Sequence, residues 1–309
     1  MDKISVIVPC FNEEESIPLF YKEVKKALEG IENIDYEFVF INDGSSDHSE
    51  EVLRLLSVRD PHCHFYAFSR NFGKEAAMYA GMKESSGDYC VIMDADLQHP
   101  PILLKQMYEA CKYEGYDCCG GKRVSREGEG LIRNFLSKMF YKVIQKMSKM
   151  EMGDGEGDFR MMSRQMVDAL LAMKEYNRYS KGLFSFVGFD TKWIEFHNVE
   201  RVAGHSKWNF KSLMNYAVQG IFSFSTTPLL ISGYIGMGLM VLDILMLIMM
   251  LISSGSVSGI GLVLFVVIML SALNMIFVSI LGTYVSKDYL ETKNRPLYII
   301  KESSNNSHA

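Results

Sequence analysis

Apolar residues first gather as a short, β-branched run at residues 4–9 (ISVIVP), the pattern of a parallel strand covered on both faces. Apolar positions then recur at helical spacing over residues 14–29, where Ile17, Phe20, Val24 and Leu28 share one face. The alternation repeats. Runs at 37–41 (EFVFI), 64–69 and 89–93 (YCVIM) predict strands, and the segments at about 47–58 and after Gly73 predict helices. Such alternation through the first 120 residues predicts a doubly wound α/β sheet, in which ligands bind beyond the carboxyl ends of the strands. The polar clusters PCFNEE, NDGSSD, SRNFGK and DADLQ stand at those ends.

The pattern then changes twice. Residues 122–165 are looser, with a basic helical stretch at 138–149 and a glycine-rich turn, GDGEGD. Residues 207–226 mix basic, aromatic and apolar side chains, which suits a helix in a membrane interface or a surface helix packed on the sheet. Two apolar stretches follow, 229–252 and 260–285, each longer than the roughly 20 residues that cross a bilayer. Lys207 and Lys211 precede them, Lys287, Lys293 and Arg295 follow, and the joining loop SSGSVSG is uncharged, which predicts both outer flanks on the cytoplasmic side. The expected organisation is a polar domain at 1–206, an amphipathic segment at 207–227, a two-helix hairpin at 228–286 and a tail at 287–309.

Composition sharpens this division. The 309 residues carry 32 Lys and Arg against 37 Asp and Glu, and nearly all of that charge lies in residues 1–220. An acidic balance with no arginine-rich run argues against nucleic-acid binding. Six cysteines, Cys10, Cys63, Cys90, Cys111, Cys118 and Cys119, form no CxxC pair, and read as thiols of a reducing compartment.

Candidate chemistry concentrates at the strand ends. Asp94 and Asp96 lie two residues apart, so both carboxylates can face one ion, and Gln98 adds a neutral oxygen at the same spacing. Hard oxygen ligands select Mg²⁺ or Mn²⁺, ions that complete their shells with substrate phosphates. Asp43 could accept a nucleobase N–H, with Gly44 permitting a tight turn; helix capping is the alternative, and fits Asp47 better. Pro9, Phe11 and Glu13 offer an apolar wall and an acceptor to a base and ribose, while Arg70 and Lys74 either reach phosphates or begin a solvated helix.

VPCFNEEES, NDGSSD, SRNFGKEAAMYAG, DADLQHPP and GDFRMMSR together resemble family 2 glycosyltransferases of the GT-A fold. The likeness is strongest to the polyprenyl-phosphate glycosyltransferases, the group of dolichyl-phosphate mannose synthase and bacterial undecaprenyl-phosphate glucosyltransferases. It extends to the apolar stretches and to KNRPLY at 293–298. The resemblance implies a GT-A domain followed by interfacial helices and two transmembrane helices. It also implies that Pro9, Phe11, Glu13 and Asp43 contact the nucleoside, and that Asp94, Asp96 and Gln98 hold Mg²⁺ or Mn²⁺. Arg123, Arg133, Arg201, Ser206 and Lys207 match positions near the donor diphosphate or lipid phosphate, and Asp158 and Arg160 fall on the acceptor side. Phe11 departs from the tyrosine of many members, and His205 stands where another polar residue is common.

The implied reaction is inverting transfer of one sugar, glucose from UDP-glucose first, to undecaprenyl phosphate at the cytoplasmic membrane face. N-acetylglucosamine, galactose, mannose and an aminopentose are the other sugars, and another lipid the other acceptor. A nucleotide-sugar-binding partner of a flippase is the non-enzymatic alternative. No QxxRW motif of processive synthases occurs. Asp243, inside the first apolar stretch, is expected to face Asn274 or Ser271 and to support hairpin packing or homo-oligomerisation, because a lipid-facing carboxylate is costly.

Overall fold

The computed structural model describes residues 1–124, 155–197, 227–252 and 259–304. Four parallel strands form the centre of one sheet: β1 (Asp2–Cys10), β2 (Ile34–Asn42), β3 (Cys63–Phe68) and β4 (Tyr89–Ile92). They agree with the four expected runs. Beyond them lie β5 (Cys118–Arg123), β6 (Glu156–Ser163) and β7 (Thr191–Phe196), and a short β8 (Ile300–Ser303) closes the opposite edge. The full order is β7-β5-β6-β4-β1-β2-β3-β8, with β6 antiparallel to β4 and β5, and β8 antiparallel to β3. The sheet is therefore mixed and GT-A-like rather than purely doubly wound.

Helices cover both faces. Four occupy the N-terminal part, α1 (Ser16–Glu29), α2 (Ser49–Arg59), α3 (Lys74–Glu84) and α4 (Leu103–Tyr113). Two more, α5 (Arg164–Ala172) and α6 (Ser180–Phe186), follow β6. On one face Phe20, Val24, Leu28, Leu53, Leu104 and Met107 pack with Val6, Val8, Phe38 and Phe40 of the sheet. Each buried side chain of this size contributes about 1.5–3 kcal/mol. The other face is thinner: Ala76, Ala77 and Ala80 of α3 lie against Val39, Ile41, Tyr66 and Phe68. Small residues let α3 sit close. A Cβ added at Gly81 would stand 2.2 Å from Ile7 Cγ2, so this helix takes its depth, and the position of Lys74 at its start, from a glycine.

The chain divides into two compact units, Met1–Ala217 with Pro296–Ala309, and Val218–Arg295. The second contains α7 (Thr227–Ile252) and α8 (Gly259–Thr292). Two apolar spans were expected. Among the described residues one stretch, Met269–Thr292, with a mean hydropathy of 1.6, is long and apolar enough to cross a membrane. The expected tail begins at residue 287. Helix α8 continues to Thr292, and the chain then re-enters the sheet as β8. The exposed edge of β3 offers unpaired backbone groups, and an apolar segment, Tyr298–Ile300, follows close after the helix to meet them. The amphipathic segment at 207–226 and the basic stretch at 138–149 lie outside the described residues.

Candidate active site

The loops after β1 and β2 are sewn together. Asn12, at φ 54°, donates its N–H to Ser45 Oγ at 2.9 Å, and its Oδ1 accepts from the Ser46 N–H at 2.8 Å. Glu13 donates its N–H to Ser49 Oγ at 2.8 Å, while its own carboxylate accepts from Ser16 Oγ at the start of α1. Asp47 accepts from the amides of Glu14 and Ser49, so it anchors the start of α2 as expected. Pro9, Phe11 and Glu13 are half-buried on this platform, open enough for a ligand to reach.

Asp43 links the platform to the third loop. It is buried, and its carboxylate accepts from the amides of Phe72 at 2.6 Å and Gly73 at 3.0 Å. Burial pushes its pKa up, against those two amide bonds. The loops approach this closely because residue 44 lacks a side chain. A Cβ at Gly44, at φ +66°, would lie 2.4 Å from the Arg70 carbonyl carbon. Arg70 spreads its guanidinium over the Phe72 ring at 4.6 Å.

At the next strand end a lysine sits between two aspartates. Lys74 Nζ lies 2.8 Å from Asp94 Oδ1 and 2.9 Å from Asp158 Oδ2, with side-chain exposures of 37%, 33% and 16% respectively, so solvent and ligands reach the cluster. Burial works against the charge on each group, yet the opposite charges win: Lys74 is held above its ordinary value, and Asp94 and Asp158 below theirs. Lys74, expected either to reach a phosphate or to begin a solvated helix, pairs here with both carboxylates. Asp158 Oδ1 is buried with no hydrogen-bond partner among the described residues, while Oδ2 of the same carboxylate meets Lys74.

The motif of residues 94–98 bends at Leu97, at φ 57°, with Asp96 Oδ1 accepting from the Gln98 N–H at 3.2 Å. Asp94 donates its N–H to His99 Nδ1, and the imidazole stacks on Phe159 at 4.7 Å. Burial, above all, lowers the His99 pKa. Neither His99 nor Glu75 is an expected site residue. The signal for His99 is its place directly after the acidic motif; Glu75 carries none, since its partner Ser180 is remote in sequence.

Arg160, expected on the acceptor side, is held within the protein. It is 5% exposed, donates to the Gly157 carbonyl at 2.9 Å, and lies 3.8 Å from the Phe184 ring centroid. Aromatic faces and a carbonyl hold this guanidinium as a packing element. Arg123 is half-buried at the end of β5. Arg133, Arg201, Ser206 and Lys207 lie outside the described residues.

Among the described residues no three His, Cys, Asp or Glu side chains form a ready cage for a metal ion. Asp94 and Asp96 with Gln98 fit a divalent ion of the kind that takes one or two carboxylates and completes its shell with phosphate and water. The ammonium of Lys74 against Asp94 shows that this carboxylate accepts a cation.

Comparison with known proteins gives the setting for this geometry. The chain is 42% identical over 305 residues to CsbB of Bacillus subtilis (strain 168), whose name gives glycosyl transfer as a provisional activity, covering 97% of this chain and 92% of that protein. It is 40% identical over 305 residues to the SfII prophage-derived bactoprenol glucosyl transferase of Shigella flexneri, covering 97% of this chain and 98% of the relative. Among solved structures, glucosyl-3-phosphoglycerate synthase from Mycobacterium tuberculosis, in complex with Mn²⁺, UDP-glucose and phosphoglyceric acid, is similar with a TM-score of 0.47 and 18% identity, over 72% of this chain and 78% of that one. The family profile for glycosyl transferase family 2 matches residues 5–171. With that match and near-full-length relatives at 40% identity, the chain belongs to glycosyl transferase family 2.

Proposed function

We propose that this enzyme transfers a single glucose from UDP-glucose to a polyprenyl phosphate, inverting the anomeric centre. One observation carries the reading: the 40% identity to a bactoprenol glucosyl transferase spans 97% of this chain, through both compact units. The acceptor is a phosphate monoester whose second pKa is about 6, so its nucleophilic oxygen arrives largely ionised. The protein's task is alignment and charge management rather than strong base catalysis.

The platform of Pro9, Phe11, Glu13 and Asp43 takes the nucleoside. Asp94, Asp96 and Gln98 would hold Mg²⁺ or Mn²⁺, which when bound supplies charge neutralisation for the leaving diphosphate. Arg123 adds a second positive charge on that side. Asp158, kept ionised by Lys74, presents its unpartnered Oδ1 to a hydroxyl of the sugar or to a residual proton. Arg133, Arg201, Ser206 and Lys207 are assigned to the phosphates, Arg201 and Lys207 drawing the lipid phosphate to the opposite face of the sugar. We place α7 and α8 across the bilayer with the catalytic unit on the cytoplasmic side, and assign the protein to a homo-oligomer.

The test is transfer of radiolabel from a panel of UDP- and GDP-sugars to undecaprenyl phosphate by the purified full-length protein. Glucose should give the labelled lipid at the highest rate. Labelling from another donor alone would replace glucose, and labelling from none would overturn the enzymatic reading. Asp96→Asn should nearly abolish transfer, EDTA should stop the wild type, and Mg²⁺ or Mn²⁺ should restore it; undiminished turnover in chelator would remove the metal.

A further inference from the structure

The strand that follows α8 lies against the loop that holds Asp43. Its register pairs Tyr66 with Ser303, Ala67 with Glu302 and Phe68 with Ile300. The Ile299 carbonyl accepts from the Ser69 N–H at 2.9 Å, and the Ser304 hydroxyl from the Phe65 N–H at 3.1 Å. Arg54 of α2 grips Glu302 through two bonds of 2.9 Å. The side chains continue this contact inward. Tyr298 stacks on Phe68 with centroids 4.9 Å apart and planes 16° apart, and Phe72 meets Phe68 edge-on at 5.7 Å. Phe72, Tyr298 and Ile300 all pack on the small cluster formed by β2, β3 and α3.

Phe72 is also the residue whose amide, with that of Gly73, holds the Asp43 carboxylate, and Gly73 immediately precedes Lys74. Three aromatic rings therefore run from the segment just before β8 to the loop at the candidate nucleotide-sugar site. Without Tyr298 one face of Phe68 is uncovered, and Phe72 loses the support of the ring it leans on.

We propose that Tyr298 is a positioning residue for the nucleotide-sugar site, acting through Phe68 and Phe72 on the loop 69–74. The assignment rests on the reading of that loop as part of the donor site. Tyr298 touches no substrate. Its ring is the working part, because its hydroxyl is buried with no hydrogen-bond partner among the described residues. The conservative change Tyr298→Phe should therefore preserve function, and Tyr298→Ala should not.

The experiment uses the full-length protein in detergent or nanodiscs. With Tyr298→Ala, KM for the donor and Kd for UDP should rise about 5- to 10-fold, the size expected for one lost aromatic contact passed on to binding. The acceptor KM should stay within about 2-fold, since single contacts far from a site leave it nearly unchanged. Tyr298→Phe should restore the donor constants. Tyr108→Ala, on the far side of the sheet beside Tyr89, serves as the control for a general loss of stability. Hydrogen exchange at the amides of Phe72 and Gly73 gives a readout independent of any ligand. It should quicken in Tyr298→Ala, and stay slow in Tyr298→Phe and Tyr108→Ala. If Tyr298→Ala melts earlier but keeps the wild-type exchange at those amides, the proposal is overturned. Equal damage from Tyr108→Ala and from Tyr298→Ala at the donor site would overturn it as well. Should the wild type bind neither UDP nor GDP, the donor reading fails, and the exchange data still decide whether Tyr298 positions the loop.

Discussion

Lys74 touches Asp94 on one side and Asp158 on the other, so losing its charge would leave two carboxylates facing one another. Burial acts to raise the Asp158 pKa, but the charges of Lys74, Lys181 and Arg160 together, Lys74 first among them, hold it below its ordinary value. The ionised form therefore adds stability above the ordinary carboxylate range, and that stability disappears as pH falls through the depressed value. In Lys74→Met the Asp158 pKa should climb, and the acid limb of kcat/KM against pH should move toward neutrality; an unmoved limb would separate Asp158 from turnover. Glu75 gives the opposite sign. Burial, with the Asp158 charge next, pushes it from 4.5 up to about 7, against the two bonds from Ser180. A raised acid holds its proton in the folded state, so stability falls as pH rises from about 4.5 to about 7. Glu75→Gln should flatten that fall and melt higher than the wild type at pH about 8, where the charge cost is fully present. At this scale the sequence exposes Asp94 and Asp96, which stand together in one motif, but not the Lys74–Asp158 pair, whose members are brought together only by the meeting of α3 and β6.

Among the elements, the central strands and the amphipathic first helix were the readable ones. β1 to β4 each contain a short apolar run, and α1 shows its buried stripe at Ile17, Phe20, Val24 and Leu28. β5 was not readable, because CCGGKR has neither β-branched residues nor alternation. Its glycines are there to admit large neighbours: a Cβ at Gly120 would stand 2.4 Å from the Trp193 ring, and one at Gly121 2.6 Å from Phe159. β8 escaped for another reason, since a four-residue strand on a distant edge has no local signature. Helix α3 yields a prediction of its own. Gly81→Ala should cost about 1–3 kcal/mol through overpacking against Ile7, and should weaken donor binding by moving the helix that begins with Lys74. Chemical denaturation and UDP titration measure the two effects, and a loss of stability with unchanged UDP affinity would place the site's geometry in the loops alone.

For the molecule as a whole, the proposed function gives sugar transfer to the first unit and membrane attachment to the second, but the chain does not divide at one point. Residues 296–309 belong with the first unit although they follow the second. A fragment ending at Ala217 should therefore bind UDP poorly, and adding residues 296–309 through a flexible linker should recover the binding. Calorimetry on the two fragments decides it. Arg201→Ala and Lys207→Ala should each cost about 1.5–3 kcal/mol at the lipid phosphate, read as a higher KM for polyprenyl phosphate with donor affinity intact. Asp243 belongs to this scale too. Its side chain lies outside the described ones, and Asp243→Leu should loosen the oligomer in mild detergent while UDP binding persists.

The bond between Phe65 and Ser304 joins residues 239 positions apart, and that separation sets an order of events during synthesis. The ribosome makes β1 to β7 first, then both long helices, and only afterwards the strand that finishes the sheet. Segments made first fold first, at translation rates of about 5–20 residues per second. A nascent chain thus carries a nearly complete sheet with one raw edge until its apolar helices have left the ribosome. The last strand then closes that edge and, through the proposed role of Tyr298, would steady the loop at 69–74. On the proposed function, maturation of the donor site would wait on synthesis of both long helices, so a chain ending before residue 296 should bind nucleotide sugar poorly.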